Sequence, residues 1–402
     1  MVSCFLTLIY CILPGSVCAF IPIPFTSSTY NPCNLRYFLT RSPLSGRLAA
    51  VRFCPLHGWP CLYWLLELHV LKCSVEQKYL IFPLVSLKSP LPKQAGKFAT
   101  FAGIFLLFVM VKHMPPAIKQ LLTLRNPNVL PGPPLAELQS LFARTSRDAK
   151  LKNAETGWLV LTTCTLLSAN RPASLGHLYR FVTRLNTNEP ASRVNVASAV
   201  NKAALMRESA LKSAIFVGVP RVILSLAALH EALDDDVKKS LRTQSRRFAT
   251  PGNVESTVVR GRALWNSIYA PHADKLHDKL AAYHPDFISF IIQSYGSVLC
   301  PLPGATKAFA DASSLADPDQ GNLSRTLGSV VGIAALRAEG RVGPQLISHT
   351  FGLLKARYVE GLSAEDAWLA SDEGTEWVLR TVDEILDVVQ SEGQEAEMKV
   401  KL

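Results

Sequence analysis

Acidic residues are almost missing from the first 113 positions, where only Glu67 and Glu76 stand against ten lysines and arginines. That segment alone carries +8 of the formal charge of +11. The basic balance belongs to one end of the chain rather than to a spread surface, so it gives no ground for a nucleic-acid partner. Cysteine is scarce in the opposite place. Seven of the nine cysteines precede residue 74, leaving Cys164 and Cys300 for all that follows. No two cysteines stand three or four positions apart, which excludes a Cys-x-x-Cys redox pair and thiolate zinc spacing. A reduced body without a disulfide framework is expected.

Long apolar runs are missing too. The best candidate is 98–111 (FATFAGIFLLFVMV, opened by Phe98 and closed by Val111), fourteen largely apolar residues between Lys97 and Lys112. A helix needs ~20 to span a hydrocarbon core. The run fits a tilted or interfacial membrane anchor, or a buried helix. No base precedes the apolar stretch 5–13, where a secretory leader would carry one. Frequent Cys, Pro and aromatics, few acids and no durable periodicity do not describe a foldable domain. Two readings of 1–113 follow: an extension outside the mature protein, which would then open at Met114, or a membrane-anchoring piece.

What is present beyond that point is helix. Pro115, Pro116, Pro127, Pro131, Pro133 and Pro134 make 114–134 a stiff lead-in. An all-α domain is expected over 135–390, with a flexible polar tail over 391–402. Leu135, Leu138, Leu141 and Phe142 recur at helical spacing. The stretch 155–167 is apolar all round and therefore expected to be buried. Asn170-Arg171-Pro172 ends it, with Ser174 as the cap of the next helix. Gly218-Val219-Pro220 must kink or restart the helical stretch 196–233. The acids Asp234, Asp235 and Asp236 open a short helix, 254–299 is a further helical block, and 301–322 reads as a loop. Ser363, with Asp366 three residues on, caps one long final helix over 363–389.

The chain is organised around 323–355 (LSRTLGSVVGIAALRAEGRVGPQLISHTFGLLK): an apolar helix, a Gly-containing turn, and a second helix bearing one histidine, His349. A shorter counterpart about 170 residues earlier, WLVLTTCTLLSANRPASLGHLYRFV, puts His177 in the matching place. Two related helical repeats are expected.

These pieces also carry a resemblance. GRALWNSIYAPHADKLHDKLAAYHPDFISFIIQSYGSVLCP, a variable loop and then the helix–turn–helix with its histidine resemble the carboxymuconolactone decarboxylase family. They equally resemble its relative, the alkyl hydroperoxidase D-like (AhpD-like) fold. FVGVP over 216–220 is similar to the aromatic-x-Gly-x-Pro segment that follows the histidine helix there. The resemblance covers about 240 residues, from 155 to 389, and points to a longer, fungal-type branch with some peroxisomal members.

The resemblance implies antiparallel helices, a homo-oligomer and a pocket beside the histidine-bearing helix. In the redox branch a Cys-x-x-Cys precedes the histidine. The corresponding positions are Val342 and Gln345 before His349, and Asn170 and Ala173 before His177. Thiol peroxidase chemistry of that type is thereby excluded. The decarboxylase branch implies no metal or organic cofactor, a general acid or base to move a proton, and a cation for a substrate carboxylate. His349, with His177 as its counterpart, titrates in the range suited to the first task. Arg207 and Lys212 are candidates for the second. Gln345 stands one turn before His349 and would share its face. Glutamine cannot transfer a proton where the family carries an acid, so the chemistry need not be the same.

Blander readings stand beside these. Arg207, Glu208 and Lys212 also read as a surface i,i+4 pair with a neighbour. His272, His277 and His284, at spacings of five and seven, do not share one helical face, so no metal site is expected. Cys164 and Cys300 read as small core residues. The final Val400-Lys401-Leu402 approximates the small-Lys-Leu tripeptide read by the peroxisomal import receptor. Peroxisomal location is expected from it, with a mitochondrial or membrane-anchored form as the alternative. Two functions follow: a cofactor-independent lyase or isomerase on a small carboxylate or lactone metabolite, or a non-catalytic helical binding or assembly protein.

Overall fold

The structure, a computed structural model, describes residues 40–41, 48–49, 64–72, 79–87, 114–124, 129, 132–186, 189 and 192–400. For the strand segments and for 391–400 the backbone alone is described. The chain divides into two units, Met1–Met110 and Val111–Leu402. In the first unit, β1 (Thr40–Arg41) pairs with β2 (Leu48–Ala49), and β3 (Trp64–Lys72) with β4 (Tyr79–Leu87), both antiparallel. The run 98–111 lies outside the described residues. Among those described, no helix is long and apolar enough to cross a membrane.

The described residues of the second unit form an all-α fold. Past α1 (Pro116–Thr123), α2 (Leu135–Leu151) turns the stripe Leu138, Leu141, Phe142, Thr145 and Ala149 inward. α3 (Glu155–Ser168) has no polar stripe and is buried from Thr156 to its end. A turn through Asn170, at φ 56°, leads to α4 (Pro172–Thr183). Ser174 is not the cap of α4. Pro172 already fixes the first turn, and Ser174 lies buried inside the helix.

Asn195 opens α5 (Val196–Val217) by accepting from the amide of Ser198 at 2.8 Å. Gly218, at φ 83°, stops it, and the chain restarts with Pro220 in the first turn of α6 (Val219–Ala232). Then come the short α7 (Asp235–Ser240), α8 (Val254–Tyr269), α9 (Ala273–Tyr283) and α10 (Pro285–Ser294). α10 runs directly into one π-helical turn, Tyr295–Leu299. The loop over 301–322 is pinned by Asn322, whose amide both accepts from and donates to the backbone of Leu302 at 2.9 Å.

α11 (Arg325–Glu339) is capped by Ser324 and joined to α12 (Gly343–Ala356) through Gly340 and Arg341, at φ 70° and 60°. The single long final helix of the sequence reading is two helices. Ser363 caps α13 (Ala364–Leu369), and α14 (Asp372–Val400) restarts at Ser371, whose hydroxyl accepts from the amide of Gly374 at 3.0 Å. Gly374 is tucked against the carbonyl of Trp368, an approach that a β-carbon would prevent. The tail expected to be loose continues α14 as far as Val400.

Two apolar clusters result. The larger gathers α2–α6, α11 and α14 around the fully buried α3, and each leucine it removes from water contributes roughly 1.5–3 kcal/mol. The smaller contains Trp265 and Ile268 from α8, Ile288 and Ile292 from α10, and Tyr295 and Leu299 from the π turn. Phe216, near the end of α5, touches both clusters.

Candidate functional site

α8 and the π turn meet backbone to backbone at Gly261 and Gly296. A β-carbon on Gly296 would collide with the carbonyl of Thr257, and one on Gly261 with that of Ile292. Tyr295 and Tyr269 converge on His349 of α12, which is only 4% exposed. Its Nε2 lies 3.4 Å from the Tyr295 hydroxyl and 3.5 Å from that of Tyr269, and the hydroxyls are 3.1 Å apart. These are long hydrogen bonds, the geometry of a triad that can tighten on a ligand. Phe216 meets the imidazole edge-on, with ring centroids 5.0 Å apart. On the other edge, Nδ1 has no hydrogen-bond partner.

The cation of the site is Arg325, the first residue of α11. Its guanidinium donates to the hydroxyl of Ser329, to the carbonyl of Gly352 at 3.2 Å and to the hydroxyl of Ser267 at 3.3 Å. Nε has no partner, and among the described residues no carboxylate pairs with this arginine. A base in the first helical turn opposes the helix dipole. Burial pushes the guanidinium down to about 10.

Arg325, Ser329 and His349 share a cavity with Leu264, Ile268 and Leu299. It holds about 10 Å³ of free space, room for about one water. Burial first, and the charge of Arg325 second, push His349 down to about 4. The imidazole is therefore neutral near pH 7, and burial and Arg325 both oppose its protonation. Burial raises both tyrosines, which stay protonated as hydrogen-bond donors.

The other candidates named from sequence lie elsewhere. Lys212 is fully buried and donates to the carbonyls of Val298, Leu299 and Cys300 at 2.9, 2.8 and 2.9 Å. Glu208, 5% exposed, stands 3.5 Å from the ammonium and also pairs with Arg247. The surface-pair reading of Glu208 and Lys212 is thus overturned: the carbonyls that close the π turn need donors, and the ammonium supplies them. Burial pushes Lys212 down to about 8. Arg207 is exposed and lines a different cavity.

Gln345 is exposed and does not line the His349 cavity, because α12 buries only His349, Gly352, Leu353 and Ala356. His177 sits half-buried on α4, lowered by burial and by Arg180, and does not line it either. His284 accepts from the amide of Asp286 at 3.2 Å, and His277 lies 3.2 Å from Asp278. Among the described residues no His/Cys/Asp/Glu cluster could hold a metal. Cys164 and Cys300 are buried free thiols. Lys401 and Leu402 lie outside the described residues, and Val400 is described by its backbone alone.

Sequence reasoning missed Arg325, Tyr269, Tyr295 and Ser329. A signal for Arg325 existed: it is a base placed at the start of an apolar helix, where acids are favoured. Compared with protein-family models, curated proteins and solved structures, the chain matches none.

Proposed function

We propose that this chain is a cofactor-independent lyase or isomerase acting on a small carboxylate or lactone metabolite. The observation that carries the reading is Arg325: a cation without an acidic partner, facing the same cavity as a neutral histidine. A substrate carboxylate would take the fork of Arg325, the task first assigned to Arg207 and Lys212. Its negative charge would also offset the repulsion that Arg325 exerts on His349, raising the affinity of the imidazole for a proton when substrate is bound. His349 would then take a proton at Nε2, with Tyr295 and Tyr269 donating to developing charge on the substrate. The resemblance to the carboxymuconolactone decarboxylase family supports this reading, as do the two helix–turn–helix segments with a proline in the first turn of each second helix.

The cavity must open for such a ligand to enter, since it now holds about 10 Å³. That closure favours a second reading, a non-catalytic binding or assembly protein. Exposed Phe287 and Phe290 on α10, and Ile347 and Phe351 on α12, are apolar side chains that a partner surface would cover.

The two readings separate in one experiment. A panel of small carboxylates and lactones is incubated with the protein and with His349→Ala and Arg325→Gln, and substrate loss and product formation are followed by proton NMR. Turnover that falls at least about 100-fold in both variants supports the enzyme. Turnover unchanged in His349→Ala ends the proposed mechanism, and no turnover by the parent across the panel favours the assembly reading.

A further inference from the structure

A second cavity, of about 410 Å³, lies among α5, α6, α7 and the segment after α7. That volume falls within the range of ordinary small-molecule sites, about 300–1,000 Å³. Leu226, Leu229, Leu233 and Leu241 wall it, and the last three are at most 5% exposed. Against this apolar wall stand Arg207 and Arg242, with His230 and Lys238 beside them.

The charges are poorly matched within the protein. Both terminal nitrogens of Arg207 reach only the carbonyl of Arg242, at 3.5 Å. Nε of Arg242 is buried with no hydrogen-bond partner. Glu208 is the acid whose charge acts on both arginines, and it is engaged by Arg247 and Lys212. Asp235 is exposed and stands 3.6 Å from Lys238. Burial and the neighbouring cations Arg247, Arg207 and Arg246 all disfavour the charge on Arg242. Two guanidinium groups thus converge on an apolar-walled space that holds no acid.

We propose that this cavity binds a single-chain acyl carboxylate, its headgroup between Arg207 and Arg242 and its chain along the four leucines. Planar guanidinium forks match a carboxylate. The leucine wall needs a hydrocarbon chain, which inorganic anions lack. The site is separate from the one at His349 and does not rest on the reading given for it.

Calorimetric titration of the full chain with hexanoate, octanoate and decanoate tests the proposal, with decanol and inorganic phosphate as controls. Each added methylene should tighten binding about threefold to fourfold. Decanol and phosphate should each bind about tenfold or more weaker than decanoate. Arg207→Gln and Arg242→Gln should each weaken decanoate about tenfold, and Leu226→Trp, at a half-buried wall position, should block it. His349→Ala should leave the affinity unchanged. Affinity that ignores chain length, phosphate binding as tightly as decanoate, or no binding by the parent chain would overturn the proposal. Each variant is accompanied by its thermal unfolding curve; if Arg242→Gln fails to fold, exposed Arg207 still decides the outcome.

Discussion

Gly332 faces the Nδ1 edge of His349 so closely that a β-carbon on Gly332 would lie 2.9 Å from that nitrogen and 3.2 Å from Cζ of Phe216. Neither neighbour is a flexible chain end. Both are rings held between the two apolar clusters, so α11 must keep a bare backbone where it passes them. Gly332→Ala sets two effects against each other. Overpacking costs about 1–3 kcal/mol, while alanine gains about 1 kcal/mol of helix propensity over glycine. A net loss of about 1 kcal/mol in urea denaturation is expected. A stabilised variant would show that the imidazole yields freely and is not held in place.

The buried imidazole makes folding stability depend on pH. His349 takes a proton near 6.5 when unfolded and only at about 4 when folded, because burial and Arg325 disfavour its charge. Between those values the unfolded chain binds more protons, so stability is full above about pH 6.5 and falls as pH drops toward 4. The loss attributable to this group is on the order of 3 kcal/mol. Denaturant midpoints measured across that window should show a slope that is smaller in His349→Gln. An equal slope in the variant would assign the acid sensitivity to another group that titrates in that window, such as His177, which burial and Arg180 also lower from 6.5.

Much of the fold was legible in the sequence for reasons that can be named. α3 shows its burial through its lack of a polar stripe, and the break between α5 and α6 shows in Gly218 and Pro220. The division of the final helix at Ser371 was not legible. It depends on Gly374 approaching the carbonyl of Trp368, a contact that local propensity does not encode. The site was half legible. His349 stood out as the lone histidine of an apolar helix–turn–helix. Its partners Tyr295 and Tyr269 come from elements brought together by the Gly261–Gly296 approach, and no spacing rule along the chain relates them to His349 or to Arg325 of α11. Lys212 was read as exposed because spacing on a helix says which residues are neighbours, not which face is covered.

Burial should make both described cysteines inert in the native state. Cys164 is wholly buried, receives a hydrogen bond from the Ser213 hydroxyl at 3.3 Å, and is pushed up to about 12. Cys300 is also raised by burial, despite the nearby charges of Lys212, Arg260 and Arg325. Since the thiolate is the reactive form, neither should be alkylated by iodoacetamide at pH 8 before the helical unit unfolds. Peptide mapping by mass spectrometry, with and without denaturant, reads each thiol separately. Rapid native labelling of Cys300 would mean that the π turn opens on the timescale of the reaction.

Lys212 ties the site to the core. Its ammonium donates to all three carbonyls from Val298 to Cys300, which close the turn bearing Tyr295, and its own charge is balanced by Glu208. Lys212→Met fills the space with an apolar chain but leaves those carbonyls without this donor and Glu208 paired with Arg247 alone. Breaking one partner out of such a buried cluster typically costs about 3–5 kcal/mol. The variant should lose about that much in denaturant unfolding. It should also show a shallower acid slope than the parent, because a loosened turn admits water to His349 and lets its affinity for a proton rise. A variant within about 1 kcal/mol of the parent, with the acid slope intact, would mean that backbone contacts at Gly261 and Gly296 hold the turn without help from the lysine.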